Sequence, residues 1–118
     1  MKLAIIPVTA FQQNCSLVIC SNTNRAAFVD PGGEADRLFE LLHKRGATLE
    51  KVLVTHGHID HCGGVAEVAE RAGVPIEGPH PDESFWIDQL DHQGRMFGVP
   101  GARRFTPDRW LHGGDEVT

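Results

Sequence analysis

Four potential metal ligands fall within six residues, and this cluster constrains the fold more than any other feature of the chain. Residues 55–64 read Thr-His-Gly-His-Ile-Asp-His-Cys-Gly-Gly, and the potential ligands are His56, His58, Asp60 and His61. A short run rich in β-branched residues precedes the cluster, and apolar residues at helical spacing follow it. Because open α/β sheets carry their sites where strands end, the sequence predicts a metal-binding loop between a buried strand and a helix.

The spacing within the cluster suits two metal ions. His56 and His58 alternate in a tight loop, so both imidazoles can face one ion. Asp60 and His61 follow one step further along and can face a second ion. Two ions about 3.5–4 Å apart stabilise both the attacking and the leaving group of a hydrolytic reaction, and they lower the pKa of the water between them. Among the four residues, Asp60 and His58 are the candidates for a catalytic role.

Glycines surround these ligands. Gly57 gives the loop conformational freedom, and Gly63 and Gly64 let the backbone approach its neighbours closely before the helix begins. The alternative interpretation is that the histidines are solvated loop residues of a chain that contains seven of them. The dense clustering at fixed positions favours metal binding over that alternative.

The pattern of apolar residues predicts an α/β fold. Strands are predicted at residues 3–8, 14–20, 25–29, 51–55 and 74–77, and helices at residues 34–45, 65–72 and 81–90. The polar residues 21–24 favour a hairpin between the second and third strands. The later alternation of helices and strands favours βαβ units, so antiparallel pairing gives way to parallel pairing.

Three local features complete this prediction. Pro31 pushes Asp30 into an extended conformation at the end of the third strand. Residues 94–107 are predicted to be irregular. Residues 113–115 are predicted to form a turn, and Val117 and Thr118 the beginning of a strand, which is the pattern expected for the first part of a larger domain.

Composition excludes several classes of protein. The 118 residues suit one domain, and the net charge of −5 argues against a nucleic-acid-binding surface. The apolar stretches are all shorter than the roughly 18 residues of a membrane span, so a membrane partner is not expected. Three cysteines fit no disulfide framework, and with no export signal they predict a reducing compartment, the cytoplasm.

The remaining reactive side chains have plainer interpretations. Cys62 is predicted to be a small packed residue and not a ligand, and Cys15 and Cys20 to be buried thiols. The other histidines are expected at the surface: His43 late in a helix, and His80, His92 and His112 in loops. For Phe85, Trp86 and Phe97, packing in the core is favoured over lining the mouth of a substrate site. For Arg95, Arg103, Arg104 and Arg109, a solvated charge is favoured over contact with an anionic thiol substrate.

The ligand cluster resembles the His-x-His-x-Asp-His signature of the metallo-β-lactamase-fold hydrolases. Residues 7–11, 14–16 and 29–33 are similar to the opening of the glyoxalase II, or hydroxyacylglutathione hydrolase, branch of that superfamily. Further along, residues 85–87, 95–98 and 106–111 resemble a short bacterial form of this branch. The resemblance therefore runs along essentially the whole chain.

This resemblance implies a four-layer αββα sandwich and a metal-dependent thioester hydrolase. By resemblance, His56 and His58 hold the first metal ion, and Asp60 and His61 hold the second. The ions are zinc, with iron or manganese as alternatives. A metal-bridged hydroxide would attack the carbonyl of a small-molecule thioester of the S-lactoylglutathione type. Asp30 would be a structural residue behind the loop.

The chain departs from the family pattern in one respect. The family uses further ligands, namely a histidine in a Gly-His-Thr-like segment, a bridging aspartate and a last histidine. None of these is found in the sequence, and His80, His92 and His112 do not fit those places. We therefore expect residues 1–118 to be the N-terminal half of a metallo-β-lactamase-like domain, poorly active or inactive alone.

Two other classes of function remain open from the sequence. A persulfide dioxygenase, a lactonase or a nuclease on the same fold would share the first ligand motif. A non-catalytic half-domain that binds metal or self-associates through its uncovered sheet is the third possibility.

Overall fold

A mixed five-stranded sheet forms the centre of the protein. The computed structural model describes residues 2–8, 13–57, 59–97 and 102–112. The sheet follows chain order, with strands β1 (Lys2–Val8), β2 (Gln13–Ile19), β3 (Arg25–Val29), β4 (Thr48–Leu53) and β5 (Ile76–Glu77). The first three strands pair antiparallel, whereas β3 with β4 and β4 with β5 pair parallel. The predicted change from a hairpin to βαβ units is confirmed.

Helices connect the parallel strands. The helical elements are α1 (Ala35–Lys44), α2 (Ile59–Cys62), α3 (Val65–Ala72), a 3-10 turn (Pro81–Glu83), α4 (Ser84–Asp88) and α5 (Leu90–Phe97). The predicted apolar stripe of α1 is buried at Ala35, Leu38 and Leu42. Gly46 and Gly73 follow α1 and α3 with φ angles of 64° and 66°, a left-handed conformation that glycine adopts without steric cost.

One face of the sheet carries the core. Cys15, Leu17 and Ile19 alternate along β2 on the buried face, where they join side chains of the helices in one cluster. On the edge strand β1, Leu3 and Ile5 are 62% and 57% exposed. The helices therefore cover one face of the sheet, and an apolar part of the strand β1 faces outward.

Several boundaries differ from the prediction. Strand β4 begins three residues early, and the helix α5 runs through Gly94, where irregular structure was predicted. Gly94 is buried, so packing in the fold stabilises a helix that the low helix propensity of glycine argues against. The short helix α2 was not predicted. The turn predicted at residues 113–115 and the strand at Val117 and Thr118 lie outside the described residues.

None of the helices in the described ranges is both long enough and apolar enough to cross a bilayer.

Candidate metal centre

Asp30 lies at the end of β3, next to the end of β4. It is only 6% exposed, and its φ of 54° places it in the left-handed region. The predicted extended conformation is therefore wrong, although Pro31 follows. The backbone N–H of Asp30 donates to the carbonyl of Leu53 at 2.9 Å, and aspartate is among the few residues that tolerate this conformation. Contacts of its carboxylate hold it there.

The carboxylate of Asp30 binds both ends of the segment that we call the metal loop, residues 55–62. Its Oδ1 atom accepts the backbone N–H of Thr55 at 2.7 Å. Its Oδ2 atom accepts the hydroxyl of Thr55 at 2.5 Å and lies 2.9 Å from Nδ1 of His61. This position agrees with a structural role behind the loop, and the same oxygen atoms are also potential metal ligands.

Hydrogen bonds set the tautomers of two loop histidines. Because a carboxylate has no hydrogen to donate, Nδ1–H of His61 donates to Asp30. The hydroxyl of Thr55 gives its single hydrogen to Asp30, so it accepts from Nδ1–H of His56 at 2.9 Å. Both imidazoles then carry their lone pair on Nε2, the form in which a histidine held by a carboxylate network ligates a metal.

Three potential ligands come together at this point. One ligand atom each from Asp30, His56 and His61 lies within 4.8 Å of the others, and the two rings have centroids 4.9 Å apart. Asp30 is buried and His56 is exposed, so the group opens toward solvent. A carboxylate with two imidazoles suits zinc, iron or manganese.

The other two predicted ligands are not described. His58 and the side chain of Asp60 lie outside the described part of the chain, so their place in a metal centre stays a prediction. The sequence predicted Asp30 to be a structural residue behind the loop, and its hydrogen bonds with Thr55 and His61 agree with that role. The Asp-Pro-Gly-Gly run directly after a strand is the signal that marks this position.

Small and packed residues support the metal loop. Cys62 is fully buried, and its thiol donates to the carbonyl oxygen of His56 at 2.7 Å, so it is a packed residue as predicted. A Cβ atom on Gly64 would lie 2.8 Å from the carbonyl oxygen of Pro31, which confirms the predicted close approach. Gly57 is also a site of close approach, since a Cβ there would lie 2.7 Å from the carbonyl oxygen of Glu83.

Phe85 and Trp86 were wrongly predicted to be core residues. They are 62% and 37% exposed, whereas Ile87 of the same helix is buried. The side chain of Phe97 lies outside the described part of the chain. His92 is exposed as predicted, but it lies in α5 and not in a loop.

The environments of two cysteines differ in a way that affects their reactivity. Burial raises the pKa of the Cys15 thiol to about 12, and the charge of Asp30 contributes to this rise. Cys20 is only half-buried, in contrast to the prediction of a buried thiol. A hydrogen bond with the side chain of Thr23 lowers the pKa of Cys20.

The outlying histidines and arginines lie at the surface. His43, His80 and His112 are exposed, as predicted. The arginines Arg95, Arg103, Arg104 and Arg109 are exposed as well. Three of these arginines form ion pairs, which join Arg103 to Glu70, Arg104 to Asp91 and Arg109 to Glu77.

The fold and the loop together define an α/β domain with a candidate metal centre at the ends of parallel strands. Residues 8–118 match the family model described as the Metallo-beta-lactamase superfamily. The chain belongs to this superfamily.

Curated relatives are similar to the chain over most of its length. The chain is 43% identical over 117 residues to the hydroxyacylglutathione hydrolase GloC of Haemophilus influenzae, a match that covers 99% of the chain and 55% of the relative. It is 31% identical over 101 residues to the probable metallo-hydrolase YqgX of Bacillus subtilis, with coverage of 84% and 46%. The chain thus spans about half the length of the curated relatives it matches.

Solved structures agree with the fold. The B3 metallo-beta-lactamase BLEG-1 superposes with a TM-score of 0.81 at 28% identity, over 99% of this chain and 56% of that protein. A di-iron-bound form of TTHA1623 superposes with a TM-score of 0.84 at 27% identity, over 97% and 56%. These neighbours confirm the α/β fold that the sequence predicted.

Proposed function

We propose that this chain supplies the metal loop of a metal-dependent hydrolase that cleaves small-molecule thioesters of the S-lactoylglutathione type. The observation that carries the proposal is the group formed by Asp30, His56 and His61 at the ends of β3 and β4. The substrate class is inferred from the 43% identity to a hydroxyacylglutathione hydrolase.

The donor atoms of the described residues fit a divalent metal. In the tautomers inferred above, His56 and His61 carry their lone pairs on Nε2, and the carboxylate of Asp30 orients the ring of His61. In this proposal His56 and His58 hold one ion, and Asp60 and His61 hold the second. When bound, the ions lower the pKa of a water molecule and polarise the thioester carbonyl. Zinc is the proposed metal, with iron or manganese as alternatives.

The residues of the chain orient and expose this site. Asp30 and Thr55 hold the two imidazoles in the ligating tautomer, which preserves their geometry when substrate arrives. The exposed side of His56 gives a small thioester access to the loop. Asp60 and His58 are the proposed catalytic residues.

The number of ligands argues that the chain alone turns over slowly. Two protein ligands at the first ion are fewer than the three that catalytic zinc sites use. We propose that residues 1–118 act as the first half of a larger domain, in the cytoplasm, and that other ligands complete the centre. A small-molecule substrate is the expected partner.

A graft tests this function. Residues 1–118 would replace the matching segment of the Haemophilus influenzae hydrolase, and hydrolysis of S-lactoylglutathione would be measured for the graft and for the 118-residue chain. We expect the graft to hydrolyse the thioester and the chain alone to be at least a hundredfold slower, because it lacks part of the ligand set (~3 kcal/mol in barrier).

Two variants of the graft, one at a proposed ligand and one at the surface, test the role of the metal loop. His58→Ala removes a proposed ligand and should abolish hydrolysis, whereas His43→Ala changes an exposed histidine on α1 and should leave the rate unchanged. A graft that melts cooperatively and holds metal but cleaves no thioester would contradict the proposal.

A further inference from the structure

The carboxylate of Glu83 contacts the metal loop from a distant part of the chain. Its Oε1 atom accepts the backbone N–H of Gly57 at 3.0 Å. Glu83 is the last residue of the 3-10 turn before α4 and is half-buried, while Gly57 is buried. Since Gly57 lies between His56 and His58 in the sequence, the hydrogen bond acts on the backbone that joins two candidate ligands.

Helix α4 packs against the loop at the same residue. A Cβ on Gly57 would lie 3.1 Å from Cβ of Trp86 and 3.3 Å from Cγ1 of Ile87. The absence of a side chain therefore lets the turn and α4 approach closely enough for Glu83 to reach the loop backbone. A buried N–H requires an acceptor, and an ionised acceptor makes a hydrogen bond roughly twice as strong as a neutral one.

The contact complements those made by Asp30. That residue binds Thr55 and His61 at the two ends of the loop, whereas Glu83 binds Gly57 between them. We propose that Glu83 is a positioning residue of the metal centre, which holds the backbone of Gly57, next to the candidate ligand His56, in place within the metal loop. The inference rests on the proposed metal centre, and Glu83 itself is not a ligand.

Two substitutions of Glu83 separate hydrogen bonding from charge in the 118-residue chain. Glu83→Ala removes the acceptor, and Glu83→Gln keeps an oxygen acceptor without the charge. Asp88→Ala is the matched control, because Asp88 is an exposed acidic residue at the end of α4, the helix that begins directly after Glu83. The readouts are the amide hydrogen exchange of Gly57 by NMR and the affinity for Co²⁺ by its absorption spectrum.

We expect Glu83→Ala to speed exchange at Gly57 and to weaken Co²⁺ binding, each by about tenfold, as is typical when a group supporting a ligand is lost. Glu83→Gln should show a smaller change in both, and Asp88→Ala should match the unsubstituted chain. The amide of Asn24, which donates to the carbonyl of Cys20 at 2.8 Å, reports whether the fold stays intact and should be unchanged.

The outcomes distinguish this inference from the proposed function. Unchanged exchange at Gly57, or unchanged Co²⁺ affinity in Glu83→Ala, would overturn the role of Glu83 and leave the metal centre standing. Failure of the unsubstituted chain to bind Co²⁺ would overturn the metal centre itself, and with it this assignment.

Discussion

At the scale of single residues, the buried carboxylate of Asp30 connects the two histidines that the structure describes in the metal loop. It accepts the N–H and hydroxyl of Thr55 and the Nδ1–H of His61, and through Thr55 it also orients His56. One acidic residue thus sets two tautomers. The backbone of Asp30 is in the left-handed region, and local strain of this kind is typical of functional sites.

Substitution of Asp30 should affect stability and metal affinity together. Asp30→Ala leaves a backbone N–H and an imidazole N–H without their acceptor, so we expect a loss of about 2–4 kcal/mol in unfolding free energy. Co²⁺ affinity should fall by about 10–100-fold. Urea unfolding and metal titration measure the two effects.

Asp36→Ala is the control for that experiment. Asp36 is an exposed aspartate on α1 that pairs with Arg71 at the surface, so its loss should cost less than about 1 kcal/mol. If Asp30→Ala bound Co²⁺ as tightly as Asp36→Ala, the role given to Asp30 would be wrong.

The thiols should differ in reactivity with Ellman's reagent at pH 8. Thiolate is the reactive form, so the raised pKa of Cys15 keeps that thiol inert and the lowered pKa of Cys20 makes it reactive. Cys62 is buried and should be slow. We expect one fast thiol per native chain and none in Cys20→Ser. Two fast thiols in the native chain would contradict the packing described around β2 and α2.

At the scale of elements, parallel pairing of β3 and β4 brings the candidate site together. Val29 pairs with Leu53, so the residues just beyond these strands, Asp30 and Thr55, meet at one edge of the sheet. The glycines at the start of α3 then let that helix approach the same edge. Gly64 donates its N–H to the carbonyl of Pro31 at 2.8 Å.

Adding a methyl group at Gly64 should disturb this junction. Gly64→Ala would place a Cβ 2.8 Å from a backbone oxygen that cannot move freely, so we expect a loss of about 2–3 kcal/mol in unfolding free energy. Gly46→Ala meets no atom within 4 Å and should cost only the strain of its left-handed φ, about 1 kcal/mol. Thermal unfolding of both variants tests the difference. If the two variants were equally stable, the close approach of Gly64 to Pro31 would not contribute to stability.

Elements with strong local signals could be predicted from the sequence. The strand β3, the stripe of α1 and the end of α3 at Gly73 follow from apolar spacing and from glycine chemistry. The helix α5 and the exposure of Trp86 could not be predicted, because both depend on which face of a short segment the rest of the fold covers. The site was predicted in part: its ligand types were evident, whereas the hydrogen bond from Gly57 N–H to Glu83 joins residues too distant in sequence to be paired.

At the scale of the whole molecule, the sheet has one face in the core and an apolar edge strand that faces outward. Leu3 and Ile5 of β1 pair with Val18 and Ser16 of β2, and Val18 is half-buried. An exposed apolar edge of this kind favours association with another sheet.

We predict that the 118-residue chain self-associates through this face. Sedimentation velocity should show mass increasing with concentration, and Ile5→Lys should shift the chain toward monomer. Glu40→Gln, at an exposed position of α1 on the other side of the sheet, raises the net charge by the same amount; it is the control and should leave association unchanged. A clean monomer at all concentrations would contradict the prediction.

If the loop after β4 forms a metal centre, the purified protein should contain metal, and metal content per chain shows whether it does. The 118-residue protein and its His56→Ala variant would be purified without chelator and measured by inductively coupled plasma mass spectrometry. We expect near-stoichiometric divalent metal, one or two ions, in the unsubstituted chain and a clear reduction in the variant. Near-zero metal in the unsubstituted chain, or equal metal in both, would contradict it.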